Sequence, residues 1–126
     1  MKRFWIGLGL LAALLAVSVV TMLELGQVHE RIAAQAEAAA AAAQAGDLAG
    51  ASATLEACES EWSSVERLCS AFADHEPLEQ MRALFSQARI ELAAGSPTEA
   101  AVACTRLALL SRSVGESHSL HWWNLL

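Results

Sequence analysis

The stretch Phe4 to Leu23, FWIGLGLLAALLAVSVVTML, carries no charge, and only Ser18 and Thr21 interrupt it with mild polarity. Twenty helical residues at about 1.5 Å each cover roughly the 30 Å of a bilayer's hydrocarbon core. Lys2 and Arg3 precede the stretch, whereas Glu24 and Glu30 follow it. The positive-inside bias therefore predicts a cytoplasmic N-terminus, with everything after the stretch on the other side of the membrane. In a chain of 126 residues this leaves room for one small domain. The division expected is residues 1–24 as an uncleaved signal-anchor and residues 25–126 as an extracytoplasmic domain.

The competing reading is a cleavable signal peptide, for which Ala16-Val17-Ser18 offers a small-residue cleavage site. Against it, the apolar run continues through Val19, Val20, Met22 and Leu23, longer than the apolar region of a usual signal peptide. A retained anchor in a single-pass cell-membrane protein is the expectation. No cysteine lies near the segment, which argues against lipoprotein processing.

Beyond Leu23 the charge balance changes. Fourteen carboxylates face six arginines and no lysine, so this part is net negative by eight. Such a surface offers no footprint for nucleic acid and is repelled by anionic lipid. Nucleic-acid binding is excluded.

The punctuation of residues 25–126 is that of helices. IAAQAEAAAAAAQA ends at Gly46-Asp47, and apolar-periodic stretches run from Leu48 to Phe72, from Pro77 to Ala94, and from SPTE to about Ser113. Gly46 and Gly95 suit the left-handed position that closes a helix, and Asp47 and Ser96 suit the caps of the next ones. Pro97 fits a first turn, and Glu99 completes a capping box with Ser96. Strand signals are absent. Between Gly26 and Gly46 the alanine-rich stretch holds neither glycine nor proline, so it reads as helix rather than linker, and the first helix leaves the bilayer as one rod.

Within the second stretch Leu48, Ala51, Leu55, Cys58, Trp62, Val65, Cys69 and Phe72 follow alternating steps of three and four, a seam facing partner helices. Leu78, Met81, Phe85, Ala88 and Leu92 repeat the scheme, and Ala100, Cys104 and Leu107 do so more loosely, with Val102, Leu109 and Leu110 nearby. The boundaries AGDLAGA and AGSPTEA match after a shift of forty-nine residues. Their turn chemistry resembles that of tetratricopeptide-type hairpins, without the fuller repeat pattern. The fold class expected is all-α: a transmembrane helix followed by a small antiparallel bundle of two helical hairpins.

Trp62, FADHEPLEQM (Phe72 to Met81), the glycine-punctuated hairpin near Gly95, and Asn124-Leu125-Leu126 together resemble a bacterial group, domain of unknown function 4363. The resemblance covers essentially the whole chain. It implies a short protein of the bacterial cell envelope with an N-terminal membrane segment and a helical remainder. It carries no activity with it. The chain departs from the group in its alanine richness, its scarcity of lysine and its Trp122-Trp123 pair.

Candidate chemistry is sparse. Asp74, His75 and Glu76 set an imidazole between two carboxylates at a helix junction, as a metal or pH sensor would need. Adjacent side chains diverge, however, so a capping corner before Pro77 is the simpler reading. His118 and His121 share a face if the tail is helical, but no zinc-type spacing accompanies them. No glycine-framed serine and no phosphate-cradling loop occurs. Cys58 and Cys69, eleven residues apart on one helix, are separated by about 16 Å, beyond disulfide reach, and only Cys104 could pair with either. The three thiols read as small core hydrophobes.

The expectation is a protein without catalysis, cofactor or metal, a tethered interaction or structural module that docks on another membrane or envelope protein. The alternative is an envelope metal or pH sensor using His75 and the C-terminal histidines. Trp62 and Phe72 are expected in the core, packed toward Phe85, Leu92 and Leu107. Gly115 in SVGESHS reads as a turn that returns Trp122, Leu125 and Leu126 to the bundle as an anchor, with Trp123 beside them. Contact of the two tryptophans with lipid or with a partner are the rival readings.

Overall fold

The computed structural model describes residues 1–70 and 75–123, and for Cys69 and residues 118–123 it describes the backbone alone. Four helices account for almost all of it: α1 (Lys2–Gln44), α2 (Leu48–Cys69), α3 (His75–Ala93) and α4 (Pro97–Trp123). There is no strand among the described residues.

The rod expected at the N-terminus is there. Helix α1 runs unbroken for 43 residues, through Gly26. Its first half is the one helix among the described residues long and apolar enough to cross a membrane, and no part of that apolar window is buried. Its second half is the opposite, with Ile32, Ala33, Ala36, Ala39, Ala40 and Ala43 all in the core.

Both tight turns follow from their glycines. Gly46 (φ +82°) and Gly95 (φ +73°) adopt the left-handed conformation that glycine alone enters without a Cβ penalty. Around Gly46, Asp47 N–H donates to the Ala42 carbonyl at 2.9 Å and Gly46 N–H to Ala43 at 3.0 Å. Ser96 to Glu91 and Gly95 to Leu92 repeat the pattern at 2.9 and 3.2 Å. Each pair of bonds satisfies carbonyls that a helix end otherwise strands. Asp47 then caps α2, its carboxylate accepting from Gly50 N–H at 2.9 Å.

The contacts fix the helix directions. Helix α2 runs antiparallel to α1, because Cys58 lies against the Ile32 carbonyl while Trp62, one turn further on, lies against His29. Helix α3 runs antiparallel to α2, with Glu59 paired to Arg89 and Glu66 to Arg82. Helix α4 folds back on α3 through the turn at Gly95 and is antiparallel to α1. The α1–α4 pairing is the most extensive, and among successive helices α2–α3 is the least. Small residues explain the first: Ala100, Ala101, Ala103 and Ala108 of α4 are buried in the same core as the alanines of α1.

The predicted seams hold for the described residues. Ala51, Leu55, Cys58, Trp62 and Val65 are buried, as are Leu78, Met81, Phe85, Ala88 and Leu92, and Ala100, Cys104 and Leu107. Leu48 is half-buried. Phe72 lies outside the described residues, as does the side chain of Cys69.

Val102 and Leu109, near the looser fourth seam, face solvent, and the buried stripe of α4 passes through Ala101, Ala103, Cys104, Leu107 and Ala108. Two expectations are corrected. Helix α3 begins at His75, two residues before Pro77. Most consequentially, α4 does not stop near Ser113. It continues through Gly115 to Trp123, so the turn expected in SVGESHS is helix and the chain does not fold back there. Glycine is a poor helix former, at a cost of about 1 kcal/mol relative to alanine. Here it is kept for space: a Cβ on Gly115 would stand 3.1 Å from the Cβ of His29.

Candidate functional site

Polar groups converge where α1, α2 and α4 meet nearest the apolar half of α1. His29 is buried on the α1 face that meets both partners. Its ring lies 6.1 Å from the Trp62 ring, centroid to centroid, tilted by 53°. From α4, Ser111 is wholly buried, and its hydroxyl donates to the His29 carbonyl at 2.8 Å. With its only proton so used, that oxygen is left as an acceptor toward His29 Nδ1, at a long 3.4 Å. A serine whose proton is committed to a helix carbonyl, and which solvent does not reach, is not an activated nucleophile. The pair fastens α4 to α1.

On the surface above it, Arg112 spans two turns of α1. Its guanidinium donates to Glu30 at 3.1–3.3 Å and to Glu37. The hydrogen bond from Arg112 holds the Glu37 carboxyl below the usual carboxylate range, and the same two glutamates raise the arginine. Gly26, His29, Glu30, Arg112, Gly115 and Glu116 enclose a shallow cavity of about 220 Å³ beside this clamp.

A second cavity, of about 300 Å³, opens between α2 and α3, the least extensive contact between successive helices. Trp62 and Phe85 lie at its base, and the Glu59–Arg89 and Glu66–Arg82 pairs flank it. Trp62 is only 2% exposed, and its indole Nε1 has no hydrogen-bond acceptor among the described residues.

The thiols behave as core groups. Cys58 and Cys104 are buried and free. Desolvation pushes the Cys58 thiol up to about 12, with the charges of Glu61 and Glu59 adding to it, and desolvation raises Cys104 as well. Neither is a thiolate near neutral pH.

Of the residues singled out from the sequence, Trp62 is in the core at this junction. His75 and Glu76 are exposed in the first turn of α3. Asp74 lies outside the described residues, as do Leu125 and Leu126 and the side chains of His118, His121, Trp122 and Trp123. Among the described residues, no group of three or more His, Cys, Asp or Glu is placed to hold a metal ion.

His29, Ser111, Arg112 and Gly115 were not legible as a group, because 82 positions separate His29 from Ser111. One signal did exist. His29, Ile32, Ala36, Ala39 and Ala43 follow the same three-and-four steps as the recognised seams. No known protein family, curated protein or solved structure matches the chain.

Proposed function

We propose that this is a single-pass membrane protein whose helical remainder, an antiparallel bundle of two hairpins, is a non-catalytic interaction or structural module of the bacterial cell envelope. One observation carries the reading. A single unbroken helix passes from twenty apolar residues that are exposed to a stretch packed in the core of the domain. A rigid continuation of this kind transmits position from membrane to domain, as a tether does and a flexible linker does not. Lys2 and Arg3 before the apolar run support an orientation with the N-terminus in the cytoplasm and the bundle outside. The plan is the one implied by the resemblance to short bacterial membrane-anchored proteins. The committed Ser111 proton and the raised thiols support a non-catalytic role.

Crosslinking of the full chain in its native membrane, followed by mass spectrometry, tests the reading. A stoichiometric envelope or membrane protein captured through residues 25–126 is the expected result. Hydrolytic or transfer activity copurifying with the chain and lost on substitution of its own side chains would overturn it. Zinc titration of the same preparation covers the sensor alternative. Tight stoichiometric binding abolished by His75→Ala would replace the adaptor with a sensor.

A further inference from the structure

Helix register shows how deep the domain sits. Trp62 of α2 and the Ser111–Gly115 turn of α4 both lie abreast of His29. From His29 back to Leu23, where the apolar run ends, is six residues, about 9 Å of helix. From Trp62 forward to Leu68 is also six residues, so Leu68 stands level with Leu23. It is 69% exposed there, a large apolar side chain in the last turn of α2. Helix α4 goes deeper. From the middle of the Ser111–Gly115 turn to Trp123 is ten residues, about 15 Å, which carries its last turn about 6 Å past the level of Leu23.

The apolar half of α1 continues the face that packs on α4. Val19, Met22, Gly26 and His29 follow steps of three, four and three, so the face that meets α4 continues into the run. Among the large apolar residues of that run Val19 and Met22 are the least exposed, at 37% each. Gly115 makes the approach possible, since it lacks the Cβ that would press on His29.

We propose that the last turns of α4, with Leu68 of α2, form a second membrane contact, so that the bundle is seated in the headgroup layer of the bilayer that α1 crosses. The inference rests on the reading of α1 as a membrane span. The residues that the register carries to this depth are Leu120, His121, Trp122 and Trp123. Tryptophan is the side chain enriched where headgroups meet acyl chains, because an apolar ring and an N–H donor are both satisfied there. The net negative charge of residues 25–126 selects zwitterionic over anionic lipid as the surface. Seating fixes the domain's height and tilt through α2 and α4 as well as α1.

The full chain reconstituted in phosphatidylcholine vesicles tests this through tryptophan quenching by lipids brominated near the glycerol end of the acyl chain. Trp5 reports on α1, Trp62 is shielded by the core, and Trp122 and Trp123 report on α4. The parent should be quenched more than W5F, and that difference reads the span itself. W5F should still be quenched by the shallow lipid, and adding W122F and W123F should abolish what remains. The W5F arm needs no change to α4, so it stands even if the triple variant fails to fold. If Trp5 is quenched but W5F is not, the seat is refuted while the span survives, whether aqueous acrylamide reaches the remaining indoles or a protein shields them. If parent and W5F are quenched alike, the span fails first and takes the seat with it.

Discussion

The two halves of α1 belong to one helix, yet they solve opposite problems. Residues 4–23 are built from Leu, Val, Ile and Phe on every face, and those side chains are uncovered. Residues 29–43 are built largely from alanine, and one face is buried completely. A lipid-facing helix gains from bulk on all sides, since each large apolar group is solvated by acyl chains. A helix packed between two others gains from small side chains, which let the backbones and their dispersion contacts come close. Hydropathy marks the first half as the apolar one. Side-chain volume marks the second as the one packed between helices.

The largest break of the comparison is Trp62→Ala. Removing this buried indole should cost about 3–5 kcal/mol, comparable to the whole stability of so small a domain. In detergent, circular dichroism should show the cooperative melting of the bundle lost while the helicity of the apolar half persists. A variant melting within a few degrees of the parent would place Trp62 outside the cohesive core.

Volume itself is tested by a pair. Ala36→Leu, in the buried face of α1, should cost about 1–3 kcal/mol through overpacking, whereas Ala13→Leu in the uncovered half should leave the melting temperature unchanged. Equal effects would erase the distinction between the halves.

Glycine sharpens the point. A Cβ on Gly26 meets nothing within 4 Å, but one on Gly115 meets His29 at 3.1 Å, an atom fixed to the α1 backbone. Gly26→Ala should therefore gain most of the roughly 1 kcal/mol helix-propensity difference. Gly115→Ala should lose stability through that contact, and thermal melts of the two variants should shift in opposite directions.

Proton linkage gives the smaller effects. Cys58 keeps its proton up to about 12 in the folded chain, against an ordinary thiol value of about 8.5. Its contribution is whole below the unfolded value and is lost as pH rises from there toward the folded one. Cys58→Ala should flatten that alkaline decline, and native Cys58 and Cys104 should resist iodoacetamide until the chain unfolds. Smallest is the Arg112 clamp. Because the Glu37 carboxyl is held low, its contribution is present above the ordinary carboxylate range and lost as pH falls through the lowered value. Arg112→Met should remove that acid dependence, at low salt more than at high.

Much of this fold was legible because its determinants are local. Gly46, Asp47, Gly95 and Pro97 punctuate the helices by their own backbone chemistry, and the seam from Ala51 to Val65 shows its period in sequence. Where α4 ends was not legible. SVGESHS contains the residues of a turn, and local propensity favoured one. Packing against α1 overrode it, through a Gly115–His29 approach spanning 86 positions. The His29–Ser111–Arg112 junction was hidden for the same reason. Each residue is ordinary alone, and only the antiparallel return of α4 assembles them.

The central claim is that one continuous helix lies in lipid over its first half and in protein over its second. Spin labels placed singly from Leu8 to Ala43 in the reconstituted full chain test it most directly, by their collision with oxygen and with a water-soluble nickel complex. The account predicts high oxygen and low nickel accessibility with little face dependence from Leu8 to about Val17. It predicts a 3.6-residue oscillation beyond Gly26, with minima at Ile32, Ala36, Ala39 and Ala43. Nickel access between Leu8 and Val17 comparable to that at the exposed positions of the second half would contradict it.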